Sequence, residues 1–497
     1  MKRPDSLKVS LVILVVAASS ASAQTVNAQP EDVLGKALSS VGFTRADLGY
    51  RPKGYWTRYP NPQRIPHKLP FFDDLFAEPL EIYGFVQSMG AAVQQYLNPE
   101  YLAKNDNATF KLVYYLGVDK KVVGFRGYNL NLTPEVDEQT PLFTAIAQIF
   151  QRTNYGIQKV SFGEISPWLD EKKSAMEQAK SIDLKVQKIL AGLILNLLDA
   201  QRWQELAFRN VPVAAKERAF GIRDLGTANI DALKYYPEID DVAATIDEQS
   251  LYYAGMKAAQ ATEMAKCALL KLLAEDKTLD VKNIHFNLPT PMGRIVFAGT
   301  GNDVHDYDDC AILVDFGGDD RYVGGIAANT SLSLPIAVAL DLSGNDKYEN
   351  ERPGLPSQGA GLFGVGVLLD VAGDDEYTSK SYSQGLGYFG LGLLLEEKGN
   401  DKYILEHSGQ GAGHFGIGLC LDAEGKDEYV IKGDGQGYGG CGGVGVLANG
   451  SGDDRYFADP WATNGFRPDY HSQHKVNHNN VQGAGSGRRG DGADGHC

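Results

Sequence analysis

Two patterns of hydrophobic and polar positions divide the chain near residue 288. Before it, apolar residues recur at three- and four-residue steps, which is the spacing of one face of an α-helix. This periodicity predicts helices over residues 31–41, 71–97, 140–152, 166–208 and 245–276. After residue 288 the helical period stops, and glycines separate short apolar runs such as residues 365–369. The first part is therefore predicted to be mainly helical and the second part to be built from short strands and turns.

One phrase occurs six times in the second part. An acidic or amide residue is followed by two spacers and then by Gly, Asn/Asp/Lys, Asp, any residue and Tyr. The opening glycines are 26, 29, 26, 26 and 27 residues apart, and a fixed period of this size indicates stacked structural units. A degenerate first unit, residues 301–303, has His305 where the others have Tyr. The opening glycines are Gly318, Gly344, Gly373, Gly399, Gly425 and Gly452.

A second motif, Gln-Gly-x-Gly, lies between the acidic phrases and starts at Gln358, Gln384, Gln410 and Gln436. Each unit is thus predicted to contain a turn, a strand, the acidic turn and a second strand that starts at Tyr. Such units can stack in parallel as a solenoid, or form antiparallel hairpins in a meander, a propeller or a closed sheet. Recurring identical residues favour the solenoid, because equivalent side chains then line up about 4.8 Å apart. Glycines at 359, 361, 364 and 366 indicate two closely packed sheets.

The chain is therefore predicted to be an α+β multidomain protein. A mainly α-helical domain over residues 24–287 precedes a Gly/Asp-rich β-solenoid of about 26-residue repeats over residues 288–460. Residues 461–497 form a polar, His- and Gly-rich insert and an incomplete last repeat. The incomplete repeat predicts that the chain continues in the full-length protein or that another chain covers its end. Cys420 and Cys441 occupy repeat positions of Leu or Phe, which indicates small apolar core residues.

The N-terminus has the pattern of a secretory signal over residues 1–23. Lys2 and Arg3 precede an apolar run at 11–18 and the small residues 21–23. We therefore expect an exported protein in the periplasm, at the cell surface or outside the cell, without a transmembrane segment after signal removal. A formal net charge of −16 excludes a nucleic-acid partner and suits a cation-binding surface.

Stacking of the repeats places like charges on top of one another. At about 5 Å and an effective dielectric constant of about 20, each neighbouring pair costs roughly 3 kcal/mol. Basic residues before the Tyr (Arg321, Lys347, Lys402 and Arg455) are expected to neutralise part of this charge, but Glu376 and Glu428 hold the same position in two repeats. A hard cation would complete the neutralisation, and Ca²⁺ tolerates irregular oxygen ligands best. The stacked acids that open the phrase are Asp315, Asp341, Asp370, Glu396 and Asp422.

The acidic turns resemble the calcium-binding repeats of RTX proteins over residues 299–460. Gly-Asn-Asp-Lys-Tyr at 344–348 and 399–403 partly reproduces the unit of that family, whose period is nine residues. The resemblance implies Ca²⁺ bound between successive turns of a secreted parallel β-roll. The interpretation that stays open beside it is a plain tight turn, in which Asp and Asn cap their own backbone. The candidate metal ligands are Asp315, Asp320, Asp341, Asp346, Asp370, Asp375, Asp401, Asp422, Asp427 and Asp454.

Three functions are weighed from these features. The first is a non-enzymatic exported repeat protein with a Ca²⁺-stabilised solenoid, which binds an extracellular polymer or cell-surface component in adhesion or scaffolding. The alternative is a secreted hydrolase or lyase acting on polysaccharide, whose site should break the repeat at residues 305–309, at His414 or in the tail from His471 to His496. The third is a Zn²⁺ protein that uses the tail histidines, although a polar loop inserted between two coils also explains that segment. The Tyr of the phrase is predicted to form a stacked aromatic ladder.

Overall fold

The computed structural model describes residues 14–15, 33–47, 80–113, 135–152, 168–222, 237–440, 442–459 and 481–484, and all structural statements below concern these residues. The predicted signal at 1–23 lies outside them except for Leu14–Val15, and so does Cys441. The histidines of the tail also lie outside the described residues.

Ten α-helices precede residue 276 in the described chain, and a short 3₁₀ turn lies at Arg45–Asp47. The helices are α1 Val33–Ser40, α2 Glu81–Tyr96, α3 Pro99–Lys104, α4 Ala108–Val113, α5 Pro141–Arg152, α6 Trp168–Ala179, α7 Leu184–Ala207, α8 Val213–Gly221, α9 Pro237–Thr245 and α10 Glu248–Glu275. None of the described helices is long and apolar enough to span a membrane.

One of the predicted helices is in fact a pair of helices. Residues 166–208 are divided into α6 and α7, because Asp183 accepts a hydrogen bond from the Lys185 amide and starts a new helix there. In the same way, Asp247 caps α10 by accepting from the Ser250 amide and separates it from α9. The prediction of a single helix over 166–208 was wrong, since apolar periodicity continued across a capping residue, whereas the helix predicted over 245–276 is α10 with its start moved by three residues.

The second part is a parallel β-solenoid of about six turns with a period of about 26 residues. Three sheets run along it, where the sequence predicted two strands in each unit. The first sheet contains β3 Arg294–Ala298, β5 Cys310–Asp315, β7 Ile336–Asp341, β10 Val365–Asp370, β13 Leu391–Glu396, β16 Ile417–Asp422 and β18 Val444–Asn449. The second contains β4 Val304–Asp306, β6 Arg321–Val323, β8 Lys347–Asn350, β11 Glu376–Ser381, β14 Lys402–Gly409, β17 Glu428–Gly435 and β19 Arg455–Ala458. The third, which was not predicted, contains β9 Gly361–Leu362, β12 Gly387–Tyr388 and β15 Gly413–His414.

Equivalent residues of successive coils pair in parallel register, which confirms the solenoid over the antiparallel alternatives. In the first sheet, for example, Val365 pairs with Leu391 and Asp370 pairs with Glu396. At the start of this sheet, β2 His285–Leu288 pairs antiparallel with β3, and at its other end Leu14–Val15 (β1) pairs parallel with β18. After residues 461–480, Gly483 donates from its amide to the Gln436 carbonyl, so residues 481–484 lie against the solenoid again.

The first sheet is buried on both faces because helix α10 covers its outer side. Along β10, Val367 and Leu369 belong to the core shared with α10, whereas Leu368 belongs to the interior of the solenoid. Asp370 follows Leu368 by two residues and therefore also faces the interior. The alternation of the strand thus places an acid at the same interior corner of each coil.

Candidate metal site

Ten acidic side chains line the interior corner between the first and second sheets, and we call them the acidic row. Five end a strand of the first sheet, and five lie in the following turn directly before the second sheet. The strand acids are Asp315, Asp341, Asp370, Glu396 and Asp422, and the turn acids are Asp320, Asp346, Asp375, Asp401 and Asp427. All ten are at most 3 % exposed to solvent.

Each turn acid uses one oxygen to hold the neighbouring coil. The Asp375 Oδ1 accepts a hydrogen bond from the Asp346 amide at 2.5 Å, and the Asp401 Oδ1 accepts from the Asp375 amide at 2.7 Å. The other oxygen, Oδ2, has no hydrogen-bond partner in Asp320, Asp346, Asp375 or Asp401. A buried carboxylate oxygen without a partner is costly, so four equivalent ones form a set of donors that could hold a cation at this corner.

The strand acids are held by the tyrosines of the repeat. The Tyr348 hydroxyl donates to Asp370 at 2.6 Å, and the Tyr377 hydroxyl donates to Glu396 at 2.6 Å. In Glu396 the second oxygen, Oε1, has no partner. The tyrosine rings stack with centroid separations between 4.4 and 5.0 Å, which confirms the predicted aromatic ladder. The ladder therefore both fills the core and fixes the orientation of the strand acids.

Adjacent acids form five overlapping groups that could hold a metal ion. In each group one ligand atom from each of three residues lies within 4.8 Å of the others. A turn acid in the middle of the row belongs to two groups, as Asp375 does with Asp346 and Asp370 on one side and with Glu396 and Asp401 on the other. Because ten carboxylates serve five groups, one divalent cation per group would neutralise the row.

The row resists ionisation when it is empty of cations. Burial raises the pKa of Asp320 to about 6 and that of Asp427 to about 6, near the two ends. In the middle, burial and the charges of neighbouring carboxyls raise the pKa of Asp375 and Glu396 well above their ordinary values. The middle carboxyls of the cation-free row therefore favour the protonated form at neutral pH, whereas Asp320 and Asp427 are mostly ionised.

The basic residues of the repeat do not neutralise the row, contrary to expectation. Arg321 and Arg455 are exposed on the outer face of the second sheet, where they pair with Glu349 at 2.5 Å and Glu428 at 2.9 Å. The reason is the two-residue period of a strand, since the residue before the inward Tyr must face outward.

The structure brings together nine of the ten predicted ligands, all except Asp454. Asp454 accepts a hydrogen bond from the Asp427 amide, but it is only partly buried and belongs to none of the five groups. Glu396 joins the row, as its place among the stacked acids indicated. His305 also joins it, and its replacement of the repeated Tyr was the only sequence signal for this role.

The two interpretations of the acidic turn are both part of one arrangement. Strand acids such as Asp315 and Asp341 cap their own turn, because their Oδ1 atoms accept from the Gly317 and Ser343 amides. The Oδ1 of each turn acid accepts from the amide of the neighbouring coil, and the Oδ2 stays available for a cation in Asp320, Asp346, Asp375 and Asp401. Oxygen ligands of this kind, carboxylates in an irregular array, suit Ca²⁺ or Mg²⁺. Asn449 shows how the row ends, because its amide nitrogen donates to Asp427 Oδ2 at 2.7 Å in place of a cation.

The positions considered for catalysis are occupied by structural contacts wherever the structure describes them. Asp308 forms an ion pair with Arg352, and Asp309 forms one with Arg294 at 2.9 Å. His414 lies in β15 with its ring 5.2 Å from that of Tyr438, and burial lowers its pKa to about 4.

Cys420 packs in the solenoid interior with Leu368 and Leu394, as predicted.

Comparisons of the chain with protein-family models, with curated proteins and with solved structures find no match. The likeness to RTX repeats therefore rests on the turn sequence and on the stacked acidic groups, in a solenoid of a different period.

Proposed function

We propose that this chain is an exported, non-enzymatic repeat protein whose solenoid is stabilised by a row of divalent cations, with Ca²⁺ as the natural ion. The rigid solenoid would serve in adhesion, binding or scaffolding at the cell surface or outside the cell. The observation that carries the proposal is the set of buried Oδ2 atoms without partners on equivalent turn acids. The signal-like N-terminus supports the exported location.

Charge balance supports a divalent rather than a monovalent ion. Five ions of charge two match the ten carboxylates of the row, whereas five monovalent ions would leave half of the charge uncompensated. Among divalent ions, Ca²⁺ accepts six to eight oxygens in a flexible geometry, while Mg²⁺ demands a regular octahedron and retains its water. A dry, irregular corner therefore favours Ca²⁺.

The way in which the solenoid and the helices are joined supports a role as a scaffold. Helix α10 packs its buried face on the first sheet, and Gly255 approaches Leu391 so closely that a Cβ would lie 2.8 Å from it. Lys266 of α10 forms a buried ion pair with Glu397 beside the row. Stiffening of the solenoid by cations would thus also hold the helical part in place.

The test is thermal unfolding of the full chain, monitored by circular dichroism, in the presence of Ca²⁺, of Mg²⁺ and of excess chelator. We expect a large loss of melting temperature in chelator, recovery with Ca²⁺ and weaker recovery with Mg²⁺. Equilibrium dialysis should find about five divalent ions per chain. An unchanged melting temperature in chelator would exclude the cation row and leave backbone capping as the role of the turns. If the signal is cleaved as predicted, which also removes strand β1 from the end of the first sheet, N-terminal sequencing of protein recovered outside the cytoplasm should begin at Gln24.

A further inference from the structure

The first end of the acidic row differs from the other coils in its chemistry. In strand β4, His305 pairs in register with Tyr322, and its ring stacks on that tyrosine with a centroid separation of 4.9 Å. The imidazole is 3 % exposed. It occupies the place of the repeated tyrosine. Among the described residues of this stack, it is the one whose ring carries a nitrogen able to bind a metal.

The imidazole is directed at the carboxylates of the first group. Its Nε2 lies 2.7 Å from Asp315 Oδ2, and ligand atoms of His305, Asp315 and Asp320 all lie within 4.8 Å of one another. Asp320 Oδ2 has no hydrogen-bond partner although the residue is 97 % buried. The Oδ2 of Asp303, from the degenerate first unit, is also buried without a partner.

This donor set is not the one that suits Ca²⁺. The other four groups contain only carboxylates, which favour hard cations, whereas imidazole nitrogen favours zinc and its neighbours in the first transition series. Zn²⁺ is bound at about 2.0–2.2 Å by His nitrogen and by Asp oxygen, usually with four ligands. His305, Asp315 and Asp320 would provide three of these ligands, which leaves the fourth position to a water molecule.

We propose that the His305 end of the row is a separate site for one first-row transition-metal ion, with Zn²⁺ as the expected occupant. The other four groups bind Ca²⁺ under the proposed function, on which this inference rests because Asp320 is shared with the second group. The solenoid would then carry two kinds of ion, with the transition metal at its N-terminal end.

The test uses Co²⁺ as a spectroscopic probe for the Zn²⁺ site. Protein that has been stripped of metals and then saturated with Ca²⁺ is titrated with Co²⁺. We expect visible d–d absorption that saturates at one equivalent of Co²⁺ and is lost when Zn²⁺ displaces the Co²⁺. Two variants remove the imidazole, namely H305Y, which restores the tyrosine of the other repeats, and H305Q, which retains a hydrogen-bond donor. Both should lose the absorption and at least tenfold in Co²⁺ affinity, while their melting temperatures still rise on addition of Ca²⁺. H285Y changes an exposed histidine in β2 and is the matched control.

Tail histidines are the competing source of nitrogen ligands, so the titration is repeated in the triple variant H471Q/H474Q/H478Q. Persistence of the one-equivalent signal in the triple variant supports the site at His305. Loss of the signal there, with retention in H305Y and H305Q, would overturn the proposal. A His305-dependent signal in a protein whose stability does not respond to Ca²⁺ would refute the Ca²⁺ row and leave the transition-metal site standing.

Discussion

Replacing Asp375 by Asn tests the acidic row most directly, because the expected effect changes sign with Ca²⁺. Asp375 Oδ1 must accept the Asp346 amide, so the substituted side chain keeps its oxygen there and turns its NH₂ group into the row. Asn449 already ends the row in this way, by donating to Asp427 Oδ2. D375N therefore removes a charge and places a donor at the position of a cation.

In chelator the substitution should stabilise the protein. Asp375 shares its two groups with four other acids, and a pair of like charges at about 4.8 Å costs about 3.5 kcal/mol at an effective dielectric constant near 20. Protonation of the row relieves part of this repulsion. We therefore expect D375N to raise the free energy of unfolding by about 1–3 kcal/mol in the cation-free protein at pH 8.

In Ca²⁺ the same substitution should destabilise the protein. A ligand present at 100 times its Kd stabilises by about 2.7 kcal/mol per site, and Asp375 belongs to two groups. Loss of both sites would lower the free energy of unfolding by about 5 kcal/mol. D370N, which affects one group, should lower the number of bound Ca²⁺ ions by one, whereas D375N should lower it by two.

The matched control is D374N, one residue earlier in the same turn. Asp374 is exposed, its Oδ1 accepts from the Asn400 amide at 2.8 Å, and the equivalent positions of neighbouring coils already hold Asn345 and Asn400. We expect a change within about 0.5 kcal/mol in either condition. Urea unfolding with and without chelator, together with equilibrium dialysis of Ca²⁺, measures all three variants. Equal effects of D374N and D375N, or one sign for D375N in both conditions, would refute the cation row.

Three further predictions concern the same structure. Burial raises the pKa of Asp320 to about 6 and that of Asp346 and Asp401 to about 8, so in chelator the urea midpoint should fall from pH 5 to pH 8, as groups protonated in the folded state lose their protons. The Ca²⁺ affinity should rise over the same range. G373A should lower the free energy of unfolding in urea by about 3 kcal/mol or more, because its Cβ would lie 1.7 Å from a backbone oxygen of the preceding coil. G301A should change it little, because the nearest atom to its Cβ would be Asp303 Oδ2 at 4.0 Å. Y377F should lower the free energy of unfolding by about 1–3 kcal/mol in the same assay, because Glu396 loses a hydrogen-bond donor at 2.6 Å in the core. Y83F, at the exposed Tyr83, is the control, and an unchanged urea midpoint for Y377F would contradict this role of the hydroxyl.

Much of the architecture follows from the period of the sequence alone. The 26-residue repeat predicted stacked coils, and the tyrosine at a fixed place in each coil predicted an aromatic ladder. The alternate glycines predicted a close approach, and a Cβ at Gly361 would indeed lie 2.1 Å from the Leu391 carbonyl oxygen. Repetition makes such inferences strong, because a feature that recurs at every coil must be compatible with its own copies above and below.

The helical part was predicted less well because its elements are short and end at local caps. A capping aspartate such as Asp183 stops a helix without interrupting the apolar period, and six-residue helices such as α3 and α4 are too short to establish one. The third sheet escaped prediction for a similar reason, since its strands are two residues long and lie within the Gln-Gly-x-Gly motif.

The sequence by itself determined that acids would be stacked, since each coil repeats them at one position. Only the tertiary structure decided which carboxylate oxygens have hydrogen-bond partners. The backbone amide of one coil donates to the Oδ1 of the next, and the alternation of the strands places the arginines on the outer face. Burial inside the solenoid, beside the tyrosine ladder, then removes water from the corner. The proposed need for a cation therefore arises from the packing of distant segments, because a carboxylate at the end of a strand is costly only once water can no longer reach it.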